Sequence, residues 1–146
     1  MFTETVNITG RLKISRLNES GDELEVREVK NLIVAVGKNL ITSRLVGNTT
    51  AIPSHMAVGT SNTAATTAQT ALTTEIGRVV LDSSTRSTNT ITYVATFPAG
   101  TGTGSLTEAA ILNASSTGDM LCRTNFNAVN KGAADVIVIT WNVTIS

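Results

Sequence analysis

Cysteine, histidine, proline and aromatic residues are all scarce here: one Cys, one His, two Pro, one Trp, one Tyr and three Phe in 146 residues. Each scarcity excludes something. A lone thiol, Cys122, rules out an internal disulfide framework and leaves a small buried core residue as its ordinary role. With His55 the only imidazole, a metal site of the usual N/S type would need His55, Cys122 and carboxylates together, and their spacing does not match one. Aromatics at 3% give no stacking platform for sugars or single-stranded nucleic acid. Charge is also thin, at 15% of residues, with 11 basic balanced by 11 acidic, so no field draws in nucleic acid or an anionic membrane. No apolar run approaches the ~20 residues of a membrane span, and the opening MFTETVNITG has an acidic residue and no apolar core of a leader. The expectation is a soluble, non-exported product with no nucleic-acid or membrane partner. The N-x-S/T triplets at Asn7, Asn18, Asn48, Asn113 and Asn142 are then chance products of a Thr- and Ser-rich chain, not glycosylation sites.

What is abundant is Thr, Ser, Ala and Asn. A surface hydrated by hydroxyls and amides instead of charges is prone to associate, which suits a subunit packed against neighbours. Along the chain, Val6, Ile8, Leu12 and Ile14 alternate with Asn7, Thr9, Arg11 and Lys13, with Gly10 on the apolar side, as a half-buried strand does. The turn-forming 18–22 leads to Leu24 and Val26 alternating with Glu23, Glu25 and Arg27, which completes a hairpin. Arg11 and Lys13 are expected to pair across it with Glu23 and Glu25. Between Asn31 and Gly47 the period becomes helical, with Gly47 placed as a stop, giving one helix of about three turns. Residues 54–59 predict a short strand, and residues 60–74 a long loop with one helical turn near Ala71 and Leu72. Further strands are predicted over 76–81, 90–97, 107–112, 119–126 and 135–145, the last with Ile137, Ile139, Trp141, Val143 and Ile145 on one face. About eight strands with little helix imply an all-β fold: a single antiparallel β-sandwich domain over 1–146, jelly-roll-like, with 1–30 an N-terminal hairpin or arm and 31–146 the core.

Candidate chemistry is sparse. FPAGTGTGSLTEAAILNA, residues 97–114, resembles a phosphate-cradling loop at first sight, but Gly100, Gly102 and Gly104 alternate strictly and no lysine follows. A connection between two strands is the better reading, with nucleotide binding absent. Glu75, Asp82, Glu108, Asp119 and Asp135 stand at or near predicted strand ends, where turn and edge roles account for them. Glu75 with Arg78, and Glu108 with Arg123 on a neighbouring strand, are expected to be structural ion pairs. Alternation puts Cys122 on one face with Met120 and Phe126. No catalytic, cofactor-binding or metal-ligating residue is assigned, and no enzyme activity is expected.

The segments 55–60 (HMAVGT), 70–78 (TALTTEIGR), 96–100 (TFPAG), 106–113 (LTEAAILN) and 130–135 (NKGAAD), closed by a TWNVTI strand, together resemble a family of small virion structural proteins of tailed bacteriophages. The likeness covers residues 31–146; Ala110-Ile111-Leu112 stands where glycine-leucine-phenylalanine is commoner. It implies a virion protein made in the host cytoplasm and placed on the outer surface of the particle: a capsid decoration or cement protein, dimeric or trimeric, partnered with the major capsid protein. The alternative it leaves open is a tail, baseplate or fibre-attachment subunit partnered with tail proteins. It brings no catalytic residues with it.

Overall fold

A computed structural model describes residues 2–146, with 52% of the chain in strands and 8% in helix. The strands are β1 (Ile8–Leu17), β2 (Glu23–Ile33), β3 (His55–Gly59), β4 (Glu75–Val80), β5 (Ser83–Ser87), β6 (Thr90–Phe97), β7 (Gly104–Leu112), β8 (Met120–Lys131) and β9 (Val136–Ile145); the helix α1 spans Ala35–Leu45 between β2 and β3. They form one curled antiparallel sheet in the order β4-β3-β7-β8-β2-β1-β9-β6-β5. Nine strands are present among the described residues where the spacing of apolar segments predicts about eight. The extra one, β5, has the sequence SSTRS, exposed at every residue. No apolar alternation marks it, and only its backbone ladder to β6 makes it a strand.

Strand β2 joins the two halves of the sheet. Most of its length pairs with β1, while its end pairs with β8 through Leu32↔Arg123 and Ile33↔Cys122 alone. The two edge strands, β4 and β5, are linked only by Leu81 and Asp82, whose amides donate to Ser54 and Val94 carbonyls respectively. Chain connectivity thus brings the edges to one corner, and the halves curl round a shared core. Leu12, Ile14, Tyr93, Phe97, Ile137, Ile139 and Trp141 from one half meet Met56, Val58, Leu106, Ile111 and Cys122 from the other.

The hairpin expected within residues 1–30 forms, but it is not an arm beside a 31–146 core. Strand β1 lies between β2 and β9, pairing with β9 from Ile8↔Ile145 to Leu17↔Val136, and Leu12 and Ile14 are buried. The alternation of β1 required this: an apolar stripe needs a core to face. Register also corrects the expected ion pairs. Arg11 opposes Lys30, Lys13 opposes Glu28, and Glu25 is met by Arg16, with Nε 3.5 Å from its carboxylate. Asn18 sets that register by accepting from the Ser20 and Asp22 amides, closing a short turn. Leu24 and Val26 consequently face outward.

On β1's inner face, Gly10 opposes Asn31, and a Cβ there would fall 1.5 Å from Asn31 Oδ1. The missing side chain is what lets the Asn31 amide lie inward and accept from Trp141 Nε1 at 2.9 Å. The buried indole therefore finds the partner its N–H requires.

Candidate functional site

The least specified stretch in the sequence, residues 60–74, is organised in the structure by a buried carboxylate. Glu108 lies on the face of β7 turned away from the shared core, beside Ala110 and Leu112, and is fully buried. Its Oε1 accepts from the Thr74 amide at 2.7 Å and the Ser61 amide at 3.4 Å; Oε2 accepts from the Thr73 amide at 3.1 Å and from Arg123 Nη2 at 2.6 Å. Arg123 Nη2 also donates to the Thr63 carbonyl at 3.0 Å. Thr107 Oγ1 donates to the Ser61 carbonyl, and the Ala65 amide to Asn125 Oδ1. Held in this way, the loop drops Leu72 onto Ala57, Ala110, Leu112 and Met120 as a second small core. Its Thr67 carbonyl accepts from the Ala35 amide, covering the first turn of α1. The helical turn expected near Ala71 and Leu72 does not form, because the Thr73 and Thr74 amides point to the carboxylate.

The Glu108–Arg123 ion pair is thus present, and so is that of Glu75 with Arg78, at 2.9 and 2.7 Å. Arg78 also donates to the Ala114 and Thr117 carbonyls, fastening β4 to the β7–β8 turn. Asp82 accepts from Thr96 Oγ1 at 2.6 Å. The Asp119 backbone closes a turn with Asn113. Asp135 accepts from the Gly132 amide at 2.8 Å and from Arg16 at 3.2 Å, and the amide above all, with Arg16 beside it, holds its carboxyl below the usual range. The five carboxylate residues stand in separate structural roles, and no two form an acid–base pair.

The glycine loop joins β6 to β7. Gly100, Gly102 and Gly104 have φ of 83°, 66° and 147°, which glycine adopts without strain. The Gly100 amide donates to the Ala133 carbonyl, and Gly102 packs so closely that a Cβ would fall 2.9 Å from the Val58 side chain. The loop does have a cation, which sequence reasoning missed because it comes from β8: Lys131 Nζ, nearly buried, donates to the Pro98 carbonyl at 3.0 Å and the Asp135 carbonyl at 2.6 Å. Desolvation lowers its pKa, against the opposing pull of Asp135.

His55 and Cys122 do not form a pair. His55 is half-buried at the start of β3, Nδ1 2.8 Å from Ser54 Oγ. Cys122 is fully buried, and burial pushes its thiol far above its ordinary value, the opposite of an activated nucleophile. It does not share a face with Met120. The β7–β8 register jumps from Ile111↔Cys122 to Leu112↔Met120, and this bulge at Leu121 turns Met120 to the second core. Among the described residues no three His, Cys, Asp or Glu side chains cluster as metal ligands.

Among the described residues, exposed apolar side chains gather on two surfaces, on opposite faces of the β1–β9–β6 half. On the outer face Leu24 and Val26 are 47% and 41% exposed, with half-buried Leu17, Val136 and Val138 near them, interleaved with Ser15 and Thr96 in the cross-strand row Val26, Ser15, Val138, Thr96. On the inner face, where the core opens beneath α1, a groove of about 560 Å³ runs between Leu40, Ile41 and Leu45 of the helix and Ile91, Tyr93 and Val143 of the sheet. Leu45 and Ile52 on its rim are 80% and 57% exposed, and Arg44 and Arg86 flank it. Comparison with protein-family models, curated protein sequences and solved structures gives no match.

Proposed function

We propose that this protein is a non-enzymatic structural subunit of a tailed-phage virion, a capsid decoration or cement protein that binds the outer surface of the head and braces neighbouring capsid subunits. The observation that supports this most is that exposed apolar side chains stand on both faces of one half-sheet, in the groove beneath α1 and at Leu24 and Val26 on the outer face. Exposed apolar area of this kind marks protein–protein contact, and two such areas let a subunit be held from both sides, as a shell or lattice requires. The interior agrees with a mechanical role: the buried Glu108–Arg123 pair ties loop 60–74, β7 and β8 into one unit. The shared core supports reading the two halves of the curled sheet as layers of a jelly-roll-like sandwich. The resemblance of the segments quoted from residues 31–146 to phage virion proteins is what suggests the particle.

The test is reconstitution. Heads purified without the protein are mixed with the recombinant chain, and genome release on heating is followed by a DNA-binding dye. Saturable binding to heads with release shifted to higher temperature is expected; no binding to heads, or binding to tails alone, overturns the assignment.

A further inference from the structure

We propose that residues 2–6 form an arm that docks in the apolar groove beneath α1 of a second copy of this chain. This rests on the groove being an assembly surface, not on the particle to which the protein belongs. Phe2 is 93% exposed and Val6 64%, a large aromatic and a branched aliphatic presented to water on a segment whose backbone is tied down only at Asn7, through its bonds with Ser146. Such a segment gains by burial, and the groove offers a site of the size that holds a side chain of this kind.

Charge agrees with apolar fit. The arm carries Glu4, and the groove is flanked by Arg44 and Arg86, whose guanidinium groups donate only to backbone carbonyls. Neither arginine, nor Glu4, is in an ion pair among the described residues. The arm and the rim therefore carry complementary unpaired charges.

The occupant is another copy because the arm cannot easily turn back. It leaves from beside the groove, since Ile8 pairs with Ile145, which lines it. Val6 already lies beside Lys38, Ile41 and Thr42 of its own α1, but FTETVN contains no glycine or proline to make a tight turn and its three β-branched residues favour extension past that edge. Extended, five residues reach about 16 Å outward, enough to cross onto a neighbour. Two copies exchanging arms form a closed, symmetric pair.

Sedimentation velocity over a concentration series tests this with three single variants, all at exposed positions: Phe2→Ser, Glu4→Arg and Arg86→Glu. Wild type is expected to self-associate, and Phe2→Ser to weaken association about tenfold or more, the effect of losing one buried aromatic. Glu4→Arg and Arg86→Glu should each weaken it alone and restore it when mixed, since each arm then meets an opposite charge at position 86. A monomeric wild type, unchanged association of Phe2→Ser, or no rescue on mixing overturns the proposal. If Phe2→Ser lowers the melting temperature of a protein that stays monomeric, the arm docks on its own chain and the proposal also fails. Head binding by Phe2→Ser at wild-type strength would leave the virion assignment standing while self-association decides the arm.

Discussion

Removing the charge of Glu108 should cost more than removing its partner. At 2.6 Å the Glu108–Arg123 attraction is about 6 kcal/mol for an effective dielectric near 20, but desolvating each ion costs several kcal/mol, so the pair as a whole contributes little net stability. Breaking it from one side is different. In Glu108→Gln the Arg123 guanidinium stays buried with the Thr63 carbonyl as its remaining firm acceptor, and its Nε and Nη1 have no partner even in the intact protein. The expected loss is about 4–5 kcal/mol, a large share of the ~5–15 kcal/mol by which a domain is stable. In Arg123→Met the carboxylate keeps the Thr73 and Thr74 amides, and two orphaned donor groups disappear, so about 2–3 kcal/mol is expected. The double variant should lose about 2 kcal/mol less than the sum of the singles, because it buries no unpaired charge. Urea denaturation gives the three values, and amide exchange at Thr73 and Thr74 reports the loop directly. Additivity within about 0.5 kcal/mol, or equal costs for the two singles, would refute the reasoning.

Trp141→Ala should destabilise by about 3–5 kcal/mol, as loss of a fully buried aromatic does, while Trp141→Phe, which keeps much of the volume but orphans Asn31 Oδ1, should cost less; unchanged thermal melts would show that this face is not core. Alkaline pH should destabilise the fold. Burial raises the Cys122 thiol above its ordinary 9.0 and, with Cys122 beside it, pushes Tyr93 up to about 12, so the stability from keeping both neutral is present below their unfolded values and lost as pH rises toward the folded ones. Lys131, shifted down, works in the opposite direction, so the comparison is wild type against Cys122→Ala. Their difference in unfolding free energy should shrink by about 1.4 kcal/mol per pH unit above 9, and parallel curves from pH 8 to 11 would contradict it.

Local patterning carried much of the fold. β-Branched alternation located β1, β6 and β9, and the helix fell between Asn31 and the Gly47 stop as its changed period predicts. What it did not carry was information held by neighbours. SSTRS has no apolar face to betray β5, the one-residue bulge at Leu121 moved Met120 to the other core without altering its sequence signal, and the place of β1 in the sheet follows from its pairing with β9, over a hundred residues away. The site shows the same division. Glu108 and Arg123 were legible as a cross-strand pair, yet nothing in a Thr/Ala/Asn/Gln run announces that its amides will converge on that carboxylate. The apolar groove was equally hidden, since its lining comes from α1, the residues after it, and β5, β6, β8 and β9.

Copy number on the particle tests the central claim most directly. Reconstruction of purified virions, with stain densitometry of the 15.2 kDa band against the major capsid protein, counts the chains and places them. A decoration protein predicts hundreds of copies over the outside of the head in fixed ratio to the capsid subunit. Three, six or twelve copies at the tail or baseplate, or none in the virion, would contradict it.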